Sequence, residues 1–230
     1  CDGVDNDCDG NIEPPFGPFG TTASVRRGTQ ASAPSIAFTG REYGVVYTTD
    51  DGDTLELGIV DASGMPMGSY IIHSGERISS PSITTDGTNF GVAWSALSMM
   101  DSSYDIYFQL FDTAGGPVGT LQVISVAVGT SDTIPDVVWN GSQYAIVFQN
   151  STTFSIHQAF ADSAGNYVRT SLQNVSNPAS PFRDFDPAIA SDGRGNHAIT
   201  WFRWNGVSPS TGGDQFRVHA VSLTASGSVG

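Results

Sequence analysis

The chain has 230 residues, and charged residues make up only 14% of them. All basic residues are arginine, so 9 basic against 23 acidic residues give a net charge of −14. This balance argues against a nucleic-acid binder, whose affinity depends on basic side chains that displace counterions from phosphates. No apolar run approaches the roughly 18 residues of a membrane helix, so we expect no membrane span.

The first predicted element is an acidic loop at residues 1–14. Three aspartates stand at alternate positions, a glycine follows the third, and a glutamate lies three residues further on. Alternate carboxylates in a tight turn direct hard oxygen ligands inward, as Ca²⁺ requires. The predicted Ca²⁺ ligands are the side chains of Asp5, Asp7, Asp9 and Glu13 with the carbonyl of Asn11, and Asp2 is an additional candidate.

The only two cysteines, Cys1 and Cys8, lie within this loop. An oxidising compartment would favour a small disulfide between them, so we expect a secreted or surface-exposed protein. A solvated acidic tail that carries a disulfide and no metal is the alternative interpretation.

The loop resembles the metal-binding motif of MopE-type proteins, which recurs in secreted bacterial and especially myxobacterial proteins. Residues 1–10 match the pattern C-D-G-x-D-N-D-C-D-G throughout, while Glu13 and Pro14 depart from its end. The resemblance implies a metal site in a bacterial protein outside the cytoplasm. Copper has been linked with this family, but carboxylates without a nearby His or Met favour Ca²⁺.

The rest of the chain, residues 15–230, contains four similar units. They start near Pro34, Pro81, Pro135 and Pro187, at spacings of 47, 54 and 52 residues. Each unit continues with alternating apolar residues, a turn that contains glycine, and a second strand that ends in an aromatic residue. Such repeats, with no helical periodicity, predict four-stranded antiparallel blades. The expected fold is an all-β, four-bladed propeller.

Closure of the ring depends on the two ends of the chain. The last unit has no residues for a fourth strand, whereas residues 21–33 follow a turn-like Gly-Pro-Phe-Gly sequence. We therefore expect residues 21–33 to complete the last blade, which would remove an open sheet edge. A fragment of a larger propeller is the alternative.

The loops between second and third strands and those between blades should emerge on one face, where propellers usually bind ligands. The residues of this face that carry useful chemistry are Arg183, Asp184, Asp186 and Trp204. Loops that vary because nothing constrains them are the alternative. The aromatic residues that end the second strands, Tyr47, Trp94, Phe148 and Trp201, should pack between blades. The four histidines fall on different strands and predict no metal cluster.

Three classes of function compete at this stage. A monomeric, non-catalytic module that binds an unknown protein or glycan at the surface of a bacterium fits the repeats, the acidity and the Ca²⁺ loop. A glycan-binding, lectin-like propeller is the first alternative. A propeller-type glycosidase is the second, and it requires paired carboxylates near the central axis. Because the best pair in sequence, Asp184 and Asp186, belongs to one blade, the expectation is that the protein is not an enzyme.

Overall fold

The computed structural model describes residues 31–49, 52–75, 77–98, 101–125, 129–206 and 216–224, which form four antiparallel sheets. The first blade contains β1 (Ala31–Phe38), β2 (Glu42–Thr49), β3 (Thr54–Asp61) and β4 (Pro66–Ser74). The second contains β5 (Ile78–Thr85), β6 (Phe90–Leu97), β7 (Tyr104–Phe111) and β8 (Pro117–Val123). The third contains β9 (Asp132–Trp139), β10 (Tyr144–Asn150), β11 (Ser155–Ala161) and β12 (Gln173–Asn174), and the fourth β13 (Arg183–Ser191), β14 (His197–Trp204) and β15 (Phe216–Leu223). The prediction of an all-β chain with four repeated sheets is confirmed.

The third and fourth blades depart from the regular pattern. In the third blade, a short 3₁₀ turn at Arg169–Ser171 precedes a fourth strand of only two residues. The fourth blade has three strands among the described residues. Among all the residues that the structure describes, no helix is long and apolar enough to span a membrane.

The predicted closing strand needs one correction. Residues 31–33 belong to the innermost strand of the first blade, where Ala31 pairs with Thr49 and Ser32 with Thr48. The first strand therefore begins three residues before its proline, as in the second and third blades. Residues 21–30 lie outside the described residues, so their pairing with the last blade stays a prediction.

The first strand of every blade contains a β-bulge at the repeated proline. The residue before this proline has a left-handed backbone in all four blades, with φ close to +50°. These residues are Ala33, Ser80, Ile134 and Asp186. Proline has no N–H for the ladder, so an irregularity of the pairing is expected at this position.

Side-chain oxygens connect the innermost strands from one blade to the next. The residue after the proline accepts a hydrogen bond from a backbone N–H of the following blade. Ser35 accepts from Ile83, Ser82 from Val137, and Asp136 from Ile189, at donor–acceptor distances of 3.4, 3.3 and 2.9 Å. The equivalent residue of the fourth blade is Ala188, whose side chain has no acceptor.

The blades also pack by inserting an aromatic ring over a small residue. A Cβ atom on Gly44 would lie 2.7 Å from the Phe90 ring, and one on Gly91 would lie 2.7 Å from the Tyr144 ring. These glycines therefore permit the close approach of the next blade. Tyr47, Trp94, Phe148 and Trp201 are all buried, so the prediction that they are packing residues is confirmed.

The two end faces of the four-blade series are exposed among the described residues. In the first blade, Ile36 is 62% exposed, and in the fourth blade Phe216 and Val218 are 60% and 69% exposed. Ala198 occupies the position of Gly44 and Gly91 but is exposed, because no following blade covers it in this part of the chain.

Candidate functional site

The start of each innermost strand pairs with the end of the second strand in its blade. The four pairs at this position are Ala31 with Thr49, Ile78 with Ala96, Asp132 with Asn150, and Asp184 with Arg203. Only the third and fourth blades therefore place a carboxyl group here.

In the fourth blade, the carboxylate forms a buried ion pair. Asp184 is fully buried, and its two oxygens accept hydrogen bonds of 2.6 and 2.7 Å from Arg203. Arg203 also donates to the carbonyl of Ser176. The bond to Asp184 raises the pKa of the Arg203 guanidinium above its usual range. The structure thus places Asp184, which was predicted for a ligand face, in a buried ion pair that uses both of its oxygens.

In the third blade, no cationic side chain among the described residues pairs with the equivalent carboxyl group. Asp132 is 3% exposed, and its Oδ1 accepts a 2.9 Å hydrogen bond from the amide of Asn150. Burial raises the pKa of this carboxyl to about 6, although hydrogen bonds from Ser125 and Asn150 oppose the shift. Burial penalises the charged form of an acid, so Asp132 holds its proton at mildly acidic pH.

Asp132 forms part of the wall of an open cavity of about 340 Å³. The other residues of the wall that can bind polar groups are Ser125, Asn150, His157, Tyr167 and Arg169, and the apolar ones are Ile124, Phe148 and Leu172. Burial lowers the pKa of His157, so its imidazole is neutral near pH 7. A ligand in this cavity would meet one protonated acid, several hydrogen-bonding groups and an apolar surface, as ligand pockets commonly provide.

An ionised carboxylate in the loop after β6 contacts the segment that leads to Asp132. Asp101 accepts hydrogen bonds from the hydroxyl of Ser103 and the backbone N–H of Gly129. Hydrogen bonds lower the pKa of the Asp101 carboxyl to about 2; they come from the Ser103 hydroxyl and from the backbone N–H groups of Gly129 and Ser103. Gly129 is three residues from Asp132, a reach of about 10 Å of extended chain at most. The loop after β6 and the start of β9 therefore carry two carboxyl groups with widely separated pKa values.

These contacts confirm that the two loop sets meet on one face. The loop after β6 contacts the segment between blades at Gly129, and the Tyr104 N–H donates to the Ser131 hydroxyl at 3.3 Å. Ser131 in turn donates its backbone N–H to Thr152, in the loop after β10.

A second cleft lies on the other side of the loop after β10. The guanidinium carbon of Arg183 is 4.3 Å from the ring centroid of Phe154 and 5.4 Å from that of Trp204. The cleft has a volume of about 380 Å³, and its wall includes Pro181 and Phe182. The structure thus brings together two of the four residues predicted for a ligand face, Arg183 and Trp204.

Asp186 stands apart from both sites as the left-handed residue of its bulge. It is exposed, and its backbone N–H donates to the side chain of Gln149 at 3.2 Å. The equivalent residues Ala33, Ser80 and Ile134 have no carboxylate. Paired carboxylates are therefore not found at this position of the described strands.

The predicted ligands of the acidic loop, with Cys1 and Cys8, lie outside the described residues. Among the described ones, no three His, Cys, Asp or Glu side chains converge as a metal site. The four histidines occupy β4, β11, β14 and β15. The sequence reasoning missed Asp132, although it lies three residues before its proline, as Asp184 does.

No protein-family model matches the chain, and no curated protein matches it. Solved structures do share its fold. A thermostable family-43 glycoside hydrolase has a TM-score of 0.54 at 14% identity, over 84% of this chain and 71% of that chain. A family-43 beta-xylosidase/alpha-arabinofuranosidase from a compost metagenome has a TM-score of 0.50 at 14% identity, over 87% and 73%. A family-32 beta-fructofuranosidase of Bombyx mori has a TM-score of 0.55 at 10% identity, over 86% and 48%.

The prediction that the protein is not an enzyme is wrong. The fold is shared with several glycoside hydrolases, so a propeller of this kind gives no ground for excluding catalysis. The prediction rested on Asp184 and Asp186, of which one is tied in an ion pair and the other is isolated. Among the described residues, the carboxyl group whose pKa is raised is that of Asp132, in the neighbouring blade.

Proposed function

We propose that the protein is a propeller-type glycoside hydrolase with Asp132 as its proton donor. The observation that carries this proposal is a carboxyl group with a pKa of about 6 on the wall of an open cavity. A general acid works best when its pKa lies near the working pH, and glycosidases raise the pKa of one carboxyl group by burial. The shared fold with glycoside hydrolases supports the choice of substrate class.

The proposed reaction uses two carboxyl groups in different protonation states. Asp132 donates its proton to the oxygen of the leaving sugar as the glycosidic carbon–oxygen bond breaks. A water molecule adds to the anomeric carbon, and an ionised carboxylate accepts the proton that this water loses. Asp101, which contacts the segment leading to Asp132, is the candidate for this base. Most glycosidases pair an acid of raised pKa with an ionised carboxylate in this manner.

The polar wall of the cavity would orient the sugar. Neutral His157 and the hydroxyl of Tyr167 offer hydrogen bonds to sugar hydroxyls, and the exposed side chain of Leu172 supplies an apolar surface for a sugar ring. Asn150 positions the acid, because its amide donates to Asp132 while its carbonyl oxygen accepts from Thr152 and Thr153 in the next turn.

Turnover of a panel of nitrophenyl glycosides and plant oligosaccharides at pH 5 tests this function. We expect Asp132→Asn to lower kcat by about 100-fold or more, the usual loss when a general acid is removed. The pH profile of the parent protein should fall above about pH 6, as Asp132 loses its proton. Asp186→Asn is the matched control, because Asp186 is exposed and lies outside the cavity lining.

Two outcomes would contradict the proposal. Glycan binding without turnover on any substrate would favour the lectin-like alternative. Turnover that survives Asp132→Asn but is lost in Asp186→Asn would move the reaction to the bulge of the fourth blade.

A further inference from the structure

The cleft beside the proposed active site contains a guanidinium with unused hydrogen-bond donors. The guanidinium of Arg183 makes no hydrogen bond or ion pair with the described residues; its contacts there are the rings of Phe154 and Trp204. The guanidinium of Arg203, twenty residues further along the chain, instead donates hydrogen bonds to the Asp184 carboxylate and the Ser176 carbonyl. The guanidinium of Arg203 thus belongs to a structural ion pair, whereas that of Arg183 is available to a ligand.

The two rings fix Arg183 in position. A guanidinium over an aromatic face gains cation–π attraction, and its planar edge remains free for a bidentate acceptor. Phe154 is held by the turn that Asn150 caps, and Trp204 ends β14. The donors of Arg183 are therefore presented at the mouth of a cleft of about 380 Å³ without first breaking an internal bond.

A planar anion is the natural partner of such a group. A carboxylate matches the fork of a guanidinium with two parallel hydrogen bonds. The net charge of −14 repels anions at long range, so only a specific contact would retain one. The cleft is also lined by Trp204 and Phe182, whose faces suit the C–H side of a sugar ring.

We infer that this cleft binds the carboxylate of an acidic sugar, a uronic acid within a glycan chain. The cleft and the Asp132 cavity lie on either side of one turn, since Asn150 lines the cavity and Thr153 and Phe154 line the cleft. One glycan chain could then occupy both. The inference rests on the proposed function for its substrate class, and it assigns Arg183 the role of selecting an acidic sugar.

Fluorescence titration of full-length Asp132→Asn protein with trigalacturonate tests binding separately from hydrolysis. We expect binding, and an affinity at least tenfold weaker for the fully methyl-esterified trimer, because only the free acid can pair with Arg183. Arg183→Gln should reduce the affinity for the free acid to that for the ester. Arg183→Lys should lie between the two, since lysine keeps the charge but loses the bidentate geometry.

Arg194→Gln is the matched control, because Arg194 is exposed in the turn at the opposite end of the fourth blade. The affinity of Arg194→Gln for trigalacturonate should equal that of the Asp132→Asn protein without this change. Thermal unfolding of each variant establishes that the fold is intact.

Equal affinity for the acid and the ester, unchanged affinity in Arg183→Gln, or no binding of trigalacturonate would overturn the inference. Preferential binding of a peptide with a free C-terminal carboxylate would overturn it in favour of a protein partner. If trigalacturonate binds through Arg183 but the unmutated protein hydrolyses no glycoside, the inference stands and the proposed hydrolase activity fails.

Discussion

The third and fourth blades carry an aspartate at the same position of the same repeat, but the two carboxyl groups have different properties. Asp184 contacts Arg203 in a buried ion pair, whereas Asp132 contacts Asn150 and has a pKa raised to about 6. One residue in the neighbouring strand decides between the two states. Repetition of the fold therefore supplies the position, and the local partner decides whether it serves structure or chemistry.

Removal of the cation from the fourth blade should have the largest effect. Arg203→Gln leaves the Asp184 carboxylate buried and unpaired, which should reduce the free energy of unfolding by about 3–5 kcal/mol at pH 7. Urea denaturation measures the change. The double variant Asp184→Asn with Arg203→Gln should recover most of the loss, because no buried charge remains. A loss below about 1 kcal/mol in the single variant would mean that water reaches Asp184.

The acid of the third blade should show the opposite behaviour. Its folded-state pKa of about 6 exceeds the ordinary value of 3.8, so the native state binds more protons than the unfolded state between these pH values. Stability from this group is thus present below about pH 4 and is lost as pH rises to 6. Asp132→Asn should remove this loss and stabilise the protein above pH 6 by about 3 kcal/mol at most.

Parallel urea titrations of both proteins from pH 4 to pH 8 measure this difference. Asp184→Asn is the control, since it should destabilise the protein by breaking the ion pair with Arg203. Identical pH dependence in the parent and Asp132→Asn would show that the pKa of Asp132 is ordinary.

The third and fourth blades also differ in how tightly their faces are packed, and the expected effect on stability is smaller. Ala145 is fully buried, whereas the equivalent Ala198 of the fourth blade is exposed. Ala145→Leu should cost about 1–3 kcal/mol by overpacking. Ala198→Leu should change stability by at most about 0.5 kcal/mol. Thermal unfolding compares them. An equal cost at Ala198 would indicate that another blade or a second copy of the chain covers this face in solution.

The acidic loop should affect the blades least. Calorimetric titration of chelator-treated protein should show one Ca²⁺ site, which Asp7→Ala weakens strongly because it removes a charged ligand. Unfolding of the blades should not change in Asp7→Ala, since their buried core is built from the strands themselves. Absence of heat with Ca²⁺, or an unchanged affinity after replacement of Asp5, Asp7 and Asp9 by alanine, would contradict the predicted site.

The sequence by itself determined the repeat and its strands. Local backbone preferences and burial on a pleated surface give rise to the proline spacing, the alternating apolar residues and the turns with glycine. These features are therefore visible in the sequence alone. For the same reason the aromatic ends of the second strands were identified as packing residues. The acidic loop also rests on sequence alone, because its ligands are neighbours in the chain.

Only the tertiary structure decided what each polar residue does. The pKa of Asp132 depends on Asn150, eighteen residues away, and on burial against Ser125 of the previous blade. The availability of Arg183 depends on aromatic rings from two blades. Burial and partner choice arise from contacts between strands distant in sequence, and they act over a few ångströms. Periodicity locates the strands, but the free energies of buried charges are set by neighbours that only folding brings together.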